Sequence, residues 1–591
     1  MLVYGDAERV VATQDALASL RGALDDVSRA APGIERHSAL VTAFIQASEL
    51  VQGLADAAFE ARGFDERSPV LDAGMGLLLA LAAGIGRSWR SGFAERGEVS
   101  TDDLDALAAA DLPEAIRTKQ AEGYAFYALY PEAFVEAASG LEGGRWRVIG
   151  IRSIGVGLAA VVAAALGDRA PMTVRPVGHP FQRRLATSPA LAAEIAGEGG
   201  ARFAVVDEGP GLSGSSFGAV IDWLEEQGIA RDRIHVFPSH RGDLGPQASA
   251  AHRERWAVLP RHVTDFEDLL LHPGHPAQRL QAWFSDALGD PLAPLDDLSG
   301  GAWRYRVYDG ESAWPASNIQ QERRKYLLRT DDGPWLLKFV GLGPDPARTF
   351  ERAQALHAAD FAPEVRGYRH GFLAERWIED ARPLDTMDVD RAVLLDTLGR
   401  YLAFRSHHFE VPKGRGASLT ELLAMARYNT EQRLGPEVAR RLEDWSALVP
   451  ALEAKVRRVH TDNRMRRHEW LALPDGRILK TDALDHSAAH DLVGCQDIAW
   501  DVVGAAVEWG LTEDETAGLV DRVQREAGHV VDTGLVAFYR PCYLAFQLGY
   551  YAMAADAHAG WPQEAERLRA RSGFYRDRLQ RLLVDGLTPS V

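Results

Sequence analysis

A chain of 591 residues with 46% hydrophobic and 25% charged side chains is too long for one core and too apolar for disorder, and its length implies about three or four domains. Its 84 acidic against 65 basic side chains, a net charge of -19, argue against nucleic acid or an anionic membrane as partner, since both need a basic surface. Two cysteines, Cys495 and Cys542, make no disulfide framework or zinc ribbon, and the N-terminus MLVYGDAERV lacks a signal layout, which together point to the cytoplasm.

Residues 13–111 carry an Ala-rich helical pattern broken at Pro32, Gly63 and Pro69. No chemistry is visible there: His37, Arg87 and Arg90 read as surface groups or core partners, and the segment as a cap, a substrate lid or a homo-oligomer surface. The apolar run at 73–86 reads as too short and too glycine-rich to span a bilayer. From about residue 123 strands and helices alternate, with strands at 147–151, 172–177, 203–206 and 234–237 and helices at 157–166 and 189–196. That order predicts a parallel sheet with helices on its faces and ligands at the carboxyl ends of its strands.

The stretch 203–224, FAVVDEGPGLSGSSFGAVIDWL, carries the sharpest pattern. An apolar strand (Phe203, Val205, Val206) precedes two acids, Asp207 and Glu208, then a small-residue loop holding Ser213, Gly214, Ser215 and Ser216. A helix follows, its Phe217, Val220, Ile221 and Leu224 at helical spacing. Uncovered N–H groups at such a helix start favour a phosphate, whereas the acids suit sugar hydroxyls or a magnesium ion; a phosphorylated sugar satisfies both. A second loop, Arg152, Ser153, Ile154 and Gly155, also joins strand to helix, and its cation and open backbone suit a pyrophosphate.

These residues resemble the type I phosphoribosyltransferases, whose motif is a hydrophobic strand, two acids and a Thr/Ser-Gly loop opening a helix. The resemblance implies that Asp207 and Glu208 hold the ribose hydroxyls of phosphoribosyl pyrophosphate (PRPP) and that Ser213, Gly214, Ser215 and Ser216 hold its 5-phosphate. It further implies that Arg152, Ser153 and Gly155 contact pyrophosphate and that GHPFQRR at 178–184 is a mobile basic loop. Four residues, 209–212, separate the second acid from the Ser-Gly pair where the motif has three, so the loop is expected to be reshaped. His240 and Arg241, after the strand at 234–237, read equally as ligand contacts or a surface turn.

PLAPLDDLS at 291–299 reads as a linker. Beyond it, runs at 325–328 and 335–340 flank Asp331-Asp332-Gly333, a hairpin signal, with Lys338 in the second strand and Glu351 on a helix at 345–357. A strand at 372–375 leads to Arg376-Trp377-Ile378-Glu379. Far downstream, in VHTDNRMRRHEWLALPDGRILKTDALDH (459–486), His460 and Asp462 end a helix and a hairpin turning at 474–476 leads to Asp482. Such a layout brings a base and a metal-binding carboxylate together, as phosphoryl transfer requires.

In this order the residues resemble the aminoglycoside phosphotransferase and choline kinase-like group, relatives of protein kinases, over 300–501. The resemblance implies that Lys338 contacts the ATP phosphates and is held by Glu351, and that the segment from Glu375 to Ile378 lies beside adenine. It makes Asp462 the base that takes the acceptor's hydroxyl proton, Asp482 a magnesium ligand, and DIAWD at 497–501 the brace of the catalytic loop. Five residues after Asp462, where that group has an Asn for a second magnesium ion, stands Arg467. Either His468, Asp485 or His486 replaces that ligand, or the lobe binds without transferring phosphate. His486 and His490, four apart, read as structural, and Gly300-Gly301 is the one weak candidate for a nucleotide loop. Arg464, Arg466 and Arg467 beside Asp462 suggest an acidic or phosphorylated acceptor.

The expected whole is an α/β and α+β multidomain protein: N-terminal helices at 1–120, a phosphoribosyltransferase-like parallel sheet flanked by helices at 121–290, the linker at 291–299, and a kinase-like bilobal domain at 300–591. The expected function is a bifunctional small-molecule transferase with ATP and PRPP as co-substrates and Mg2+ as cofactor. The competing expectation is a regulator that senses PRPP or a nucleotide.

Overall fold

The computed structural model describes residues 8–96, 100–141, 143–211, 213–412, 414–487 and 493–584; His490 and Leu212 lie outside them. Its N-terminal region is built from the helices Thr13–Arg29, Ile34–Arg62 and Pro69–Arg90. The second stops where Gly63 takes φ +80° and returns its N–H to Phe59, and the third starts where Ser68 caps Leu71 N with Pro69 in the first turn, the stop and start chemistry glycine and proline supply. The 73–86 run belongs to this longer helix, which is long and apolar enough by length and composition to cross a membrane. Here its Leu77, Leu78, Leu81 and Ile85 are fully buried in the protein.

The helix Gly155–Leu166 reads GVGLAAVVAAAL, apolar on every side, and such a helix must be covered on every side. It lies between the parallel sheet and the N-terminal helices, so close to Ile34–Arg62 that a Cβ on Gly157 would sit 2.4 Å from Ser48 Oγ. The helical segment is therefore the outer layer of the α/β region.

Four parallel strands form the sheet in the spatial order Met172–Val174, Trp146–Ile151, Arg202–Val206, Ile234–Phe237. The period-2 alternation of strands decides which side chain goes to which face. Ile149, Ile151, Phe203, Val205 and Val236 join a core with Phe217 and Trp256 of the helices Ser215–Glu226 and Ala250–Val258. Trp146, Val148, Ala204, Val206 and Phe237 face the N-terminal helices. The edge strand ends at Val174, short of 177, because Pro176 offers no N–H to a ladder; a small hairpin, Val177–His179 and Gln182–Arg184, follows.

The C-terminal half opens with a five-stranded antiparallel sheet in the order Val365–Arg369, Phe372–Arg376, Gly333–Phe339, Lys325–Thr330, Asp296–Asp297. The last of these lies inside the 291–299 stretch expected as linker. Tyr326, Leu328, Trp335, Leu337 and Phe372 share one hydrophobic core with the N-terminal helices, so the two halves are joined through packed side chains. Helices from Arg391–His408 to Pro562–Val584 gather around a separate core, giving a mixed α/β multidomain protein.

Candidate functional sites

A cavity of about 700 Å³ opens at the carboxyl ends of the parallel strands, and Arg152, Ser153, Asp207, Glu208 and Ser216 line it. Gly155 lets the two loops meet, since a Cβ there would stand 2.7 Å from the Val206 carbonyl oxygen and 3.4 Å from Asp207 Oδ1. The Arg152–Ser153 peptide is cis. Ser213 and Ser215 are engaged elsewhere: both hydroxyls donate to Pro180 O, at 3.3 and 2.6 Å, which pins the basic hairpin onto the serine loop. Gly214 takes φ +62° and opens the following helix. Of the four expected 5-phosphate contacts, only Ser216 lines the cavity.

Arg152 lines the cavity but is also engaged on its far side. Its guanidinium is buried against Asp65 and, at 3.1 Å, Asp56, both from the segment that shows no chemistry in sequence. Arg175 completes the network, with Nε 2.9 Å from Asp56 Oδ1 and its backbone N–H donating to Asp65 Oδ2 at 2.7 Å. Arg152 thus ties the loop to the N-terminal helices. His240 lines the cavity, while Arg241 is held by Asp265 at 2.7 Å. Lys119, Arg175 and Arg324 are lining cations that only the fold reveals; basic and acidic lining side chains are equal in number, five of each.

Among the described residues, Asp207 and Glu208 make no direct ion pair, although the charges of Arg175, Arg183 and Lys119 favour the ionised form of Asp207. Burial pushes the Asp207 carboxyl up to about 7, against the Glu208 N–H that stabilises its charge, and burial followed by the Asp207 charge pushes Glu208 up to about 8. A carboxyl whose folded pKa is raised holds its proton in the folded state, so its contribution to stability is present at acid pH and lost as pH rises through about 7 to 8. A divalent cation must displace those protons. Two outcomes are expected. Mg2+ affinity at this site rises from pH 6 to pH 9 with proton uptake by the buffer, read by calorimetry in buffers of different ionisation enthalpy. The Asp207→Asn/Glu208→Gln variant flattens the fall in melting temperature between about pH 4 and about pH 8. PH-independent Mg2+ affinity would contradict the first.

A second cavity, of about 550 Å³, lies between the five-stranded sheet and the helical lobe. Lys338 pairs with Leu373 and Glu375 with Leu336 across adjacent strands, a diagonal that puts both side chains on one face; both line the cavity, as does Ile378. Glu351 does not reach Lys338 but is exposed on the helix Asp345–Ala358. Lys338 Nζ is instead held by Asp482 and, at 3.3 Å, by Asp485. Arg323 Nε lies 2.7 Å from Asp485 Oδ2, and His486 Nε2 lies 3.3 Å from Asp482 Oδ2. Burial would lower Lys338, yet the two aspartates hold it above its ordinary value; burial would raise the aspartates, yet Lys338 first, with His486 or Arg323, holds them below theirs. Lys338, Asp482 and Asp485 are therefore charged at neutral pH.

Asp462 stands one layer behind this wall, 1% exposed. The Tyr401 hydroxyl donates to its Oδ2, Lys480 Nζ lies 3.5 Å from the same oxygen, and the Arg464 N–H donates to Oδ1 at 3.2 Å. The preceding element is a short strand, Arg458–Val459, paired with Gln496–Asp497, in place of the expected helix. Asp501 accepts the N–H groups of Asp462 and Asn463 at 2.7 and 2.9 Å, so the end of the 497–501 stretch braces the loop. Arg467 points away, donating to Leu384 O at 3.2 Å over the Trp509 ring. His468 lines the cavity stacked on Trp303, and burial followed by Arg466 keeps it neutral. Gly301 belongs to a turn whose N–H donates to Glu322. Donor atoms of Asp482, Asp485 and His486 lie within 4.8 Å of one another, a set in which two carboxylates suit Mg2+ and the imidazole also suits Mn2+ or Zn2+.

The two cavities share a wall. Tyr127 lines both, and Arg323 Nη1 donates to Ala125 O at 2.6 Å with its guanidinium over Phe126. On the far side of that wall, Gly123 packs so closely on Glu208 that a Cβ would meet Oε1 at 2.7 Å. Gly123→Ala is expected to push the short helix Glu122–Phe126 off Glu208 and weaken ligand binding in both cavities, as measured by parallel titrations of the full chain.

No protein-family pattern matches this sequence and no curated relative matches it. Over about half of the chain the structure is similar to solved phosphotransferases. The choline kinase LicA of Streptococcus pneumoniae is 13% identical, with a TM-score of 0.30 over 43% of this chain and 89% of that one. A choline/ethanolamine kinase family protein of Mesorhizobium loti is 13% identical, with a TM-score of 0.31 over 49% and 89%. Spectinomycin phosphotransferase APH(9)-Ia, solved with ADP and spectinomycin, is 13% identical, with a TM-score of 0.32 over 51% of this chain and 98% of that one.

Proposed function

We infer that the C-terminal cavity is an ATP-dependent phosphotransferase site for a small hydroxyl compound, and that the α/β cavity takes a phosphorylated sugar of the PRPP class. The observation that carries the first reading is the meeting of Lys338, Asp482 and Asp485 in one cleft between sheet and helical lobe, with the braced Asp462 loop behind it. Lys338 would receive the nucleotide phosphates, and the strand end from Glu375 to Ile378 would flank adenine. Magnesium, when bound, would be held by Asp482 and Asp485 and would screen the phosphate charge. The acceptor oxygen attacks the γ-phosphorus, the bond to the bridging oxygen of ADP breaks, and the acceptor proton passes to Asp462. For that transfer the Tyr401 and Lys480 contacts must loosen enough to admit the acceptor to Asp462.

At the α/β cavity the reading is supported by Asp207 and Glu208 beside the Ser216 helix start and by the approach of the Gly155 loop. The wall shared through Tyr127 favours one compound passing from one cavity to the other. A second reading, a nucleotide- or PRPP-sensing protein without turnover, is favoured by Asp462 lying outside the cavity wall and by Arg467 in place of the second metal ligand.

The deciding experiment is calorimetry of Mg-ATP and Mg-PRPP with the full chain, followed by ³¹P NMR with a panel of hydroxyl acceptors. Binding of both with turnover supports the enzyme, binding without turnover the sensor. Failure of Mg-PRPP to bind a folded chain, or its undiminished binding to Asp207→Asn/Glu208→Gln, removes that ligand.

A further inference from the structure

Where the N-terminal helices meet the five-stranded sheet, three side chains with no exposure come together, none of them lining either cavity: His37 on Ile34–Arg62, Glu132 on Pro131–Ala138 and His370 in the turn between Val365–Arg369 and Phe372–Arg376. His37 Nε2 lies 2.6 Å and His370 Nε2 3.0 Å from the same oxygen, Glu132 Oε1. The other oxygen, Oε2, has no hydrogen-bond partner among the described residues, and neither does the buried Tyr124 hydroxyl. Burial, then the Glu132 charge, raises the Tyr124 phenol well above its ordinary value.

Hydrogen bonding alone would distribute two imidazole donors over two carboxylate oxygens, because a buried carboxylate oxygen without a donor is costly. Here both imidazole nitrogens lie against Oε1 and Oε2 is left bare. Three possible ligand atoms this close together, in a dry pocket with an unpartnered carboxylate oxygen, suit a shared cation. The second nitrogen of His37 contacts Ser88 Oγ at 3.0 Å; donating there fixes the tautomer that leaves Nε2 free to ligate, the outer-shell support metal-bound imidazoles have. The rings of Trp89, Phe93 and Trp283 enclose the cluster, a dry shell that would retain an ion. Two imidazoles and one carboxylate within 4.8 Å select zinc or a neighbouring late first-row metal over magnesium.

We propose that His37, Glu132 and His370 form a buried structural transition-metal site, occupied by zinc, that fastens the N-terminal helices to the sheet of the C-terminal half. The turn position of His370 supports this, since its backbone is independently fixed by Tyr130, whose hydroxyl donates to His370 O at 2.9 Å.

The test is elemental analysis and native mass spectrometry of the full chain purified without chelator from zinc-supplemented medium. The expected result is about one zinc per chain, resistant to dialysis, absent from His37→Ala and from Glu132→Gln, and retained in Asp482→Asn, which separates this site from the second cavity. Unfolding in a strong chelator and refolding without metal should lower the melting temperature of the wild type, and Zn2+ or Co2+ should restore it, Co2+ with a visible absorption band. That wild-type measurement stands even where a variant fails to fold. Wild type free of metal after refolding with zinc, with a melting temperature indifferent to chelator, overturns the proposal and leaves a hydrated His-Glu-His network. Zinc that persists in both His37→Ala and Glu132→Gln overturns it equally.

Discussion

Asp462→Asn is expected to lower phosphoryl transfer by about 10²–10⁴-fold, the range a positioned general base supplies, while leaving the affinity for Mg-ATP unchanged. The amide keeps one oxygen for the Tyr401 hydroxyl, gives up the acceptor of the Arg464 N–H, and preserves the N–H groups that Asp501 accepts, so the Asp501 brace should hold the loop and the loss should fall on kcat. Asp482→Asn should behave differently. Its carboxylate is the nearest partner of Lys338 and faces the cavity, so the amide removes both a metal ligand and a counter-charge, and nucleotide affinity and transfer should fall together. Lys338 retains Asp485 at 3.3 Å, which keeps the buried cation paired and the fold intact. The contrast separates the two readings of this half. In an enzyme Asp462→Asn splits kcat from affinity, whereas in a sensor it changes neither, because there is no turnover to lose and the residue is not in the cavity wall. A parallel loss of ATP affinity in Asp462→Asn would show that the residue supports the pocket and does not act as base.

Elements were legible in the sequence wherever local pattern and tertiary demand agree. The strand at 203–206, the helix Pro189–Ala196 and the hairpin around Gly333 appear where alternation, proline and turn residues put them. The pairing of the two aspartates with Lys338 was half legible. Asp482 is expected as a magnesium ligand and Glu351 as the lysine's partner, but the helix Asp345–Ala358 turns Glu351 to solvent. Proximity along a chain does not fix which face of a helix points inward. The partners of Arg152 were illegible for a related reason. Its charge is matched by Asp56 and Asp65, some ninety residues upstream, in a segment that shows no chemical pattern, and no local rule connects such partners. The proposed metal cluster is the extreme case: His37, Glu132 and His370 belong to three elements, 95 and 238 residues apart in turn, and each alone reads as a core histidine or a helix-start acid.

Asp65→Ala should destabilise the protein by about 3–5 kcal/mol, the scale for removing one partner of a buried ion pair. Asp65 holds the Arg152 guanidinium and accepts the Arg175 N–H at 2.7 Å, so its loss leaves a buried cation dependent on Asp56 at 3.1 Å and an amide without an acceptor. In a chain of several cores the loss should appear as a lower first thermal transition, with the helical lobe's own transition unmoved. The double variant Asp65→Leu/Arg152→Met should recover much of the difference, because apolar replacement of both partners removes the unpaired charge. Ligand binding then reports on the role of Arg152. If the residue serves to dock the loop, the stabilised double variant should retain affinity for Mg-PRPP at the Asp207 cavity. If its guanidinium leaves the aspartates to reach a pyrophosphate, the double variant should be stable and yet lose that affinity, and Arg152 would return to the role its place in the loop suggests.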